Sequence, residues 1–432
     1  MSVDTAKCQL RLEPWIVGHS RFRRDKISHC LHNLDTLWLA RLLKESHHTS
    51  KPVEILETTV ASAVPKGENY TSTVSRVKIR CLLASGLKKT FSIIVKTELK
   101  SEKAREIIEN MPVFRSEIGT YTSTLKKMEA LADEFGDKRE ILWAKLYGYQ
   151  PYNLVAFEDL TDLGYAVAQR RNFLDLNHGL LVLRNLARFH AMSKVLMSRG
   201  LLDSNDKGIF ALAMDNEPMK KMWEVVITVL TDCIEKDWGS EWAALAEKIR
   251  KAGSNVLERM IGLASSYDKN FEVLNHGDLW TCNMMFKNME YDNYPISVRF
   301  IDLQICHMNS FIWDIEYFFN TSVVPKVKRE KRPILLKAYH EALVKNLELY
   351  QYSGYVPTLE DIENESRRIE FGHFALSTFS PLMSADTTEA FDMEKLMTHP
   401  PEEVIKREVF ISSNVKENLG EDLKHFSAIG VI

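Results

Sequence analysis

The 432-residue chain is 45% hydrophobic and sets 56 Lys and Arg against 59 Asp and Glu, a formal charge of −3. That apolar content supports a sizeable core in two or three domains or in one large two-lobed enzyme. A near-neutral balance without a polybasic run provides no broad positive field, which argues against nucleic acid as a partner and against electrostatic attachment to a membrane surface.

The N-terminal stretch MSVDTAKCQLRLEPW is charged and polar where a signal segment would be apolar. No window approaches about 18 uninterrupted apolar residues, so neither export nor a membrane span is expected. Six cysteines (Cys8, Cys30, Cys81, Cys233, Cys282, Cys306) lack CxxC spacing, and several fall in apolar strand-like runs. Thiols in such runs behave as small hydrophobes, and a reducing, cytoplasmic compartment is the expectation.

Residues 21–46 read as a helix, with Leu31, Leu34, Trp38 and Leu42 three and four apart. VEILETTVASAV, TSTVSRVKIRCLL and KKTFSIIVKTEL then read as three antiparallel strands separated by turn signals. A helical region over about 101–133 is followed by two more strand-like runs, ILWAKLYGY and YNLVAFEDL. After Asp159 the periodicity turns helical, interrupted by the strands FEVLN and ISVRFIDLQ. The octet HGDLWTCN (276–283) is the loop after the first of these, and Asp302 ends the second. A sheet-rich part, residues 1–158, and a mostly helical part, residues 159–432, are therefore predicted; the pattern shows no internal repeat.

Asp278, Asn283 and Asp302 carry oxygen donors that suit Mg²⁺, which takes one or two carboxylates together with substrate phosphates. Phosphoryl transfer needs such a set plus a strand lysine for nucleotide phosphates and a helix glutamate to hold that lysine. Lys96, after the apolar run of FSIIVKT, must direct its ammonium to water or to an anion. Glu117 in VFRSEIGTY is the best partner for it. Each residue also has a plainer reading: Asp278 as a turn or cap aspartate, His276 as a loop brace, Lys96 as a snorkelling edge lysine and Glu117 as part of a solvated helix face. His190 in LARFHAMS reads as a buried, satisfied histidine, and the Met-rich MDNEPMKKMW as core or pocket wall.

With these pieces in order, the chain resembles the ecdysteroid kinase-like (CHK kinase-like) family of arthropod small-molecule kinases, relatives of choline and aminoglycoside kinases. The resemblance is carried by KGENYTSTVSRVKI (66–79), IIVKT (93–97), VFRSEIGTY (113–121), LVAFEDLTDLGY (154–165), LARFHAMS (186–193), VLNHGDLWTCNMMFK (273–287), VRFIDLQ (298–304) and WDIEYFF (313–319). It implies an α+β, two-lobed protein-kinase-like fold: an N-terminal antiparallel sheet lobe and a larger, mostly helical C-terminal lobe. It further implies ATP and Mg²⁺ as cofactors, Asp278 as the residue that orients or deprotonates the acceptor hydroxyl, and Asn283 and Asp302 as magnesium ligands. Lys96, backed by Glu117, would meet the α- and β-phosphates. Glu158, Asp159 and Leu160 would form the hinge that meets adenine through its main chain, Asn69 and Ser72 would lie in the phosphate-covering loop, and Asp314 would support the catalytic loop.

The loop over the phosphates holds only Gly67, and nothing after IDLQ resembles an activation loop ending in APE, which argues against a protein kinase. The implied substrate is a small lipophilic alcohol such as an ecdysteroid, with no nucleic acid and no obligate protein partner. Trp223, Phe374, Phe379 and Met383 are candidates to line an apolar cleft for it. A choline- or ethanolamine-type kinase is the neighbouring alternative, and a nucleotide-binding pseudokinase the alternative from another class. A two-carboxylate hydrolase leaves Lys96 unexplained.

Overall fold

The computed structural model describes residues 35–46, 53–64, 72–99, 112–203, 216–385, 390–392 and 395–432. The chain forms two compact units, residues 1–60 with 77–91 and residues 61–76 with 92–432. In the first unit, helix α1 (Thr36–Ser46) buries the predicted Leu42 together with Leu39 and Leu43, while Trp38 is half-buried; Leu31 and Leu34 lie outside the described residues.

The three predicted N-terminal strands form as β1 (Glu54–Ser62), β2 (Thr73–Leu82) and β3 (Lys88–Thr97). In β2 the alternation is strict over Ser75, Val77, Ile79 and Cys81, all buried, as expected for a strand with one face on a core. ILWAKLYGY and YNLVAFEDL yield β4 (Leu146–Gln150) and β5 (Leu154–Glu158). The five strands make one antiparallel sheet in the order β1-β2-β3-β5-β4, with Lys96 opposite Val155.

The predicted helix before β4 is described from Val113 onwards. It comprises α2 (Val113–Gly119), a π-helical turn over Thr120–Thr124 and α3 (Leu125–Glu134). The π turn follows Glu117 by three residues, a placement common beside functional groups.

The rest of the second unit is largely helical. Helix α4 (Leu176–Ser198) starts at Asp175, whose side chain accepts the His178 N–H as an N-cap. It is followed by α5 (Glu217–Cys233), α6 (Ala243–Gly253) and α7 (Val256–Ser265). After the loop region come α8 (Ile312–Ser322), α9 (Pro325–Leu349), α10 (Leu359–Arg368) and α11 (Glu370–Met383). Phe374 is fully buried, and Trp223 and Phe379 meet edge to face at 4.4 Å within the core. These three rings pack the helices together.

Between α7 and α8 run four strands where two were predicted. FEVLN forms β7 (Glu272–Asn275), paired with β10 (His307–Ser310), and MMFKN forms β8 (Met284–Asn288), which lies between β6 (Ala166–Val167) and β9 (Pro295–Phe300). The two unforeseen strands are short, and β10, HMNS, has little β-branched or aromatic character. Their formation depends on a partner already in place. The strand predicted to end at Asp302 stops at Phe300, and Asp302 turns into the left-handed region at φ 63°.

Candidate active site

Along β3, Ile93 and Val95 point to one face and are fully buried, whereas Lys96 points to the other and is still only 5% exposed. A buried ammonium needs anionic partners, and this one has two. Lys96 Nζ donates to Glu117 Oε2 at 2.9 Å, bonds the Asp302 carboxylate and approaches Gln304 Oε1 at 3.4 Å. Burial works against its charge, but the Asp302 and Glu117 carboxylates outweigh that penalty and hold the group above the usual lysine range. Burial pushes Glu117 up to about 7, with Lys96 pulling it down and the Asp302 charge pushing it further up.

The octet is pinned from several sides. Its backbone leaves β7 at Asn275, and the His276 and Gly277 N–H groups donate to the Asp314 carboxylate at 2.6 and 2.9 Å. His190, as predicted, is buried and satisfied: its Nε2 meets the same carboxylate at 3.1 Å and its Nδ1 meets the Tyr339 hydroxyl at 2.8 Å. Burial pushes Asp314 up, yet these donors more than offset it and hold its carboxyl below the ordinary range. His276 braces the loop, with Nε2 3.0 Å from the Ile301 carbonyl and Nδ1 accepting the Asp278 N–H at 3.3 Å.

Gly277 takes φ 85°, and a Cβ there would stand 2.5 Å from the Ile305 carbonyl oxygen. Gly277→Ala is therefore expected to cost about 2 kcal/mol or more, from left-handed strain and the clash together. Urea denaturation would check this, and an unchanged midpoint would contradict the conformational requirement.

Asp278 lies at the turn of this loop. Its Oδ1 accepts the Tyr317 hydroxyl at 2.6 Å, its Oδ2 accepts Asn283 Nδ2 at 2.8 Å, and the same amide donates to the Asp278 carbonyl at 2.9 Å. Burial raises the Asp278 carboxyl above its ordinary value, and the nearby Asp302 charge adds to that rise. Asn283 and Asp302 are joined by the β8–β9 ladder: Met284 lies opposite Phe300, and the Ile301 N–H donates to the Asn283 carbonyl at 2.9 Å. The two proposed magnesium ligands thus leave neighbouring strand ends. Their donors are hard oxygens without a soft ligand among them, which fits Mg²⁺ completed by phosphates and water.

The residues expected to form the hinge are placed differently from one another. The Asp159 carboxylate is taken up internally, accepting Arg76 Nε at 2.7 Å, Ser92 Oγ at 2.6 Å and Thr161 Oγ1 at 2.7 Å. Burial pushes it up, and these donors hold it below the usual range. Leu160 packs into the core, and the Glu158 N–H donates to the Lys145 carbonyl at 2.9 Å. Ser72 is buried just before β2, whereas Asn69 lies outside the described residues, as do Gly67 and Tyr70.

Three participants escaped the sequence reading. Tyr317 is one turn beyond Asp314, and that i, i+3 spacing was a usable signal. Gln304 was visible in IDLQ but had no assigned partner. The Asp159 contact with Arg76 joins residues 83 apart and left no local mark.

The profile of the ecdysteroid kinase-like family matches residues 66–352, more than half of the chain and the segment that contains every one of these side chains. No curated protein matches the sequence. Among the described residues no helix is long and apolar enough to cross a membrane. The chain belongs to the ecdysteroid kinase-like family.

Proposed function

We propose that this protein is a cytoplasmic, ATP- and Mg²⁺-dependent kinase that phosphorylates a hydroxyl of a small lipophilic alcohol such as an ecdysteroid, in hormone inactivation or detoxification. Residues 1–158 would serve the nucleotide and residues 159–432 the acceptor. The observation that carries the reading is the contact of Lys96 with both Glu117 and Asp302, beside an Asp278 held by Asn283.

In this reading Lys96, kept charged by two carboxylates, meets the nucleotide phosphates. The Glu158–Leu160 main chain meets adenine, and Ser72 and Asn69 approach the phosphates from the covering loop. Asn283 and Asp302 would hold Mg²⁺, which would neutralise phosphate charge. Asp278 orients the acceptor hydroxyl and takes its proton as the oxygen attacks the γ-phosphorus, while the bond from that phosphorus to the β,γ-bridging oxygen breaks and ADP leaves. A carboxylate whose basicity is raised by burial suits that work better than a solvated one. Catalysis of this kind is positioning and charge stabilisation.

The test is transfer of labelled γ-phosphate from ATP to a panel of ecdysteroids, choline, ethanolamine and plant or xenobiotic alcohols, with product masses measured. A phosphorylated steroid or similar alcohol is expected. Nucleotide binding without transfer to any alcohol would overturn the reading in favour of a pseudokinase, and choline as the preferred acceptor would overturn the substrate class.

A further inference from the structure

One helix grips the octet at two points. Asp314 and Tyr317 lie three residues apart on α8 and so share a face. Asp314 holds the backbone through the His276 and Gly277 N–H groups, and Tyr317 holds the side chain of the next residue, donating to Asp278 Oδ1 at 2.6 Å. Along α8 every neighbour of Tyr317 from Ile312 to Ser322 is buried, while Tyr317 itself is half-buried. Its hydroxyl remains a donor, because burial and the Asp278 charge both hold it well above the ordinary tyrosine range.

The second grip comes from the octet's own last residue. Asn283 Nδ2 bonds Asp278 Oδ2 at 2.8 Å. One carboxylate thus takes a donor on each oxygen, from two separate elements, which fixes the plane of the group. A carboxylate held only on one oxygen can turn about its Cβ–Cγ bond, since that torsion is broad.

We propose that Tyr317 is a positioning residue: by donating to Asp278 Oδ1 it fixes the carboxylate plane so that the free lone pairs face the acceptor hydroxyl. This rests on the kinase reading above and deepens it, since it names the residue that aims the base. The rival role is a structural one, in which the phenol only fills space and caps a buried acid.

The experiment uses the full chain with Tyr317→Phe, which keeps the ring, and with 4-aminophenylalanine at the same position, which restores a donor at similar reach. Tyr317→Phe is expected to lower kcat about 10- to 100-fold, the range for a lost hydrogen bond to a charged group, with the KM for ATP and the melting temperature little changed. The amino analogue is expected to recover most of kcat. A fall in melting temperature with kcat intact, or no recovery by the amino analogue, would overturn the proposal in favour of the structural role. Exchange of the Asn283 side-chain amide protons, followed by NMR, reads the same grip without turnover. Those protons should exchange faster in Tyr317→Phe while the backbone amides at 276 and 277, held by Asp314, stay unchanged. Unaltered Asn283 exchange overturns the proposal whether or not the protein transfers phosphate. Altered exchange in a protein that transfers nothing upholds the grip and overturns only the kinase reading.

Discussion

Replacing Asp302 with asparagine is expected to reduce Mg²⁺-dependent phosphate transfer by about 10³-fold or more while leaving the protein folded. The side chain serves two purposes, and the amide fails at both. It is the charged oxygen donor in the proposed magnesium set, and loss of a group that stabilises charge in a transferring phosphoryl group costs several kcal/mol in the barrier. It is also one of the two anions that keep Lys96 charged. The shape is conserved and Lys96 retains Glu117 at 2.9 Å, so the fold should survive. Because the Asp302 charge also pushes Glu117 up, its removal should let Glu117 fall back toward an ordinary carboxylate. Initial rates across a Mg²⁺ series, together with circular dichroism, would check this. Activity within threefold of the parent protein would remove Asp302 from the metal site.

Asp314→Ala should damage both stability and turnover. Its carboxylate is 1% exposed and accepts the His276 and Gly277 N–H groups at 2.6 and 2.9 Å and His190 Nε2 at 3.1 Å. Truncation strands three donors, the buried His276 N–H and His190 Nε2 and the part-buried Gly277 N–H, two of them in the loop that presents Asp278. Leaving one such donor unpaired costs about 1–3 kcal/mol, and breaking a buried charged cluster about 3–5 kcal/mol, so a loss of about 4 kcal/mol is expected. Urea unfolding with an unchanged m-value would measure it. A loss below about 1 kcal/mol would mean that water or a side-chain shift replaces the carboxylate, and that the loop has other supports.

Much of this protein could be read along the chain because the relevant forces are local. Alternation marked β2 and β3, three- and four-residue spacing marked α4 and α5, and the crowding of His276, Asp278 and Asn283 between apolar runs marked the loop. Lys96 could be singled out because a lysine after Ile93, Ile94 and Val95 cannot be left without an anion. Its family likewise follows from order and spacing, which the profile over residues 66–352 registers.

What periodicity does not encode is which buried polar groups meet. Lys96 and Asp302 are 206 residues apart, His190 and Asp314 are 124 apart, and either member alone looks like an ordinary core or surface residue. The strands β8 and β10 were also hidden, since each owes its extended form to a neighbour more than to its own composition. Local preference depends on the chain within a few residues, so it names elements and the residues that must find partners. The partners themselves, Tyr317 for Asp278 and Arg76 for Asp159, are chosen by packing, which brings distant polar groups together where desolvation leaves them no alternative.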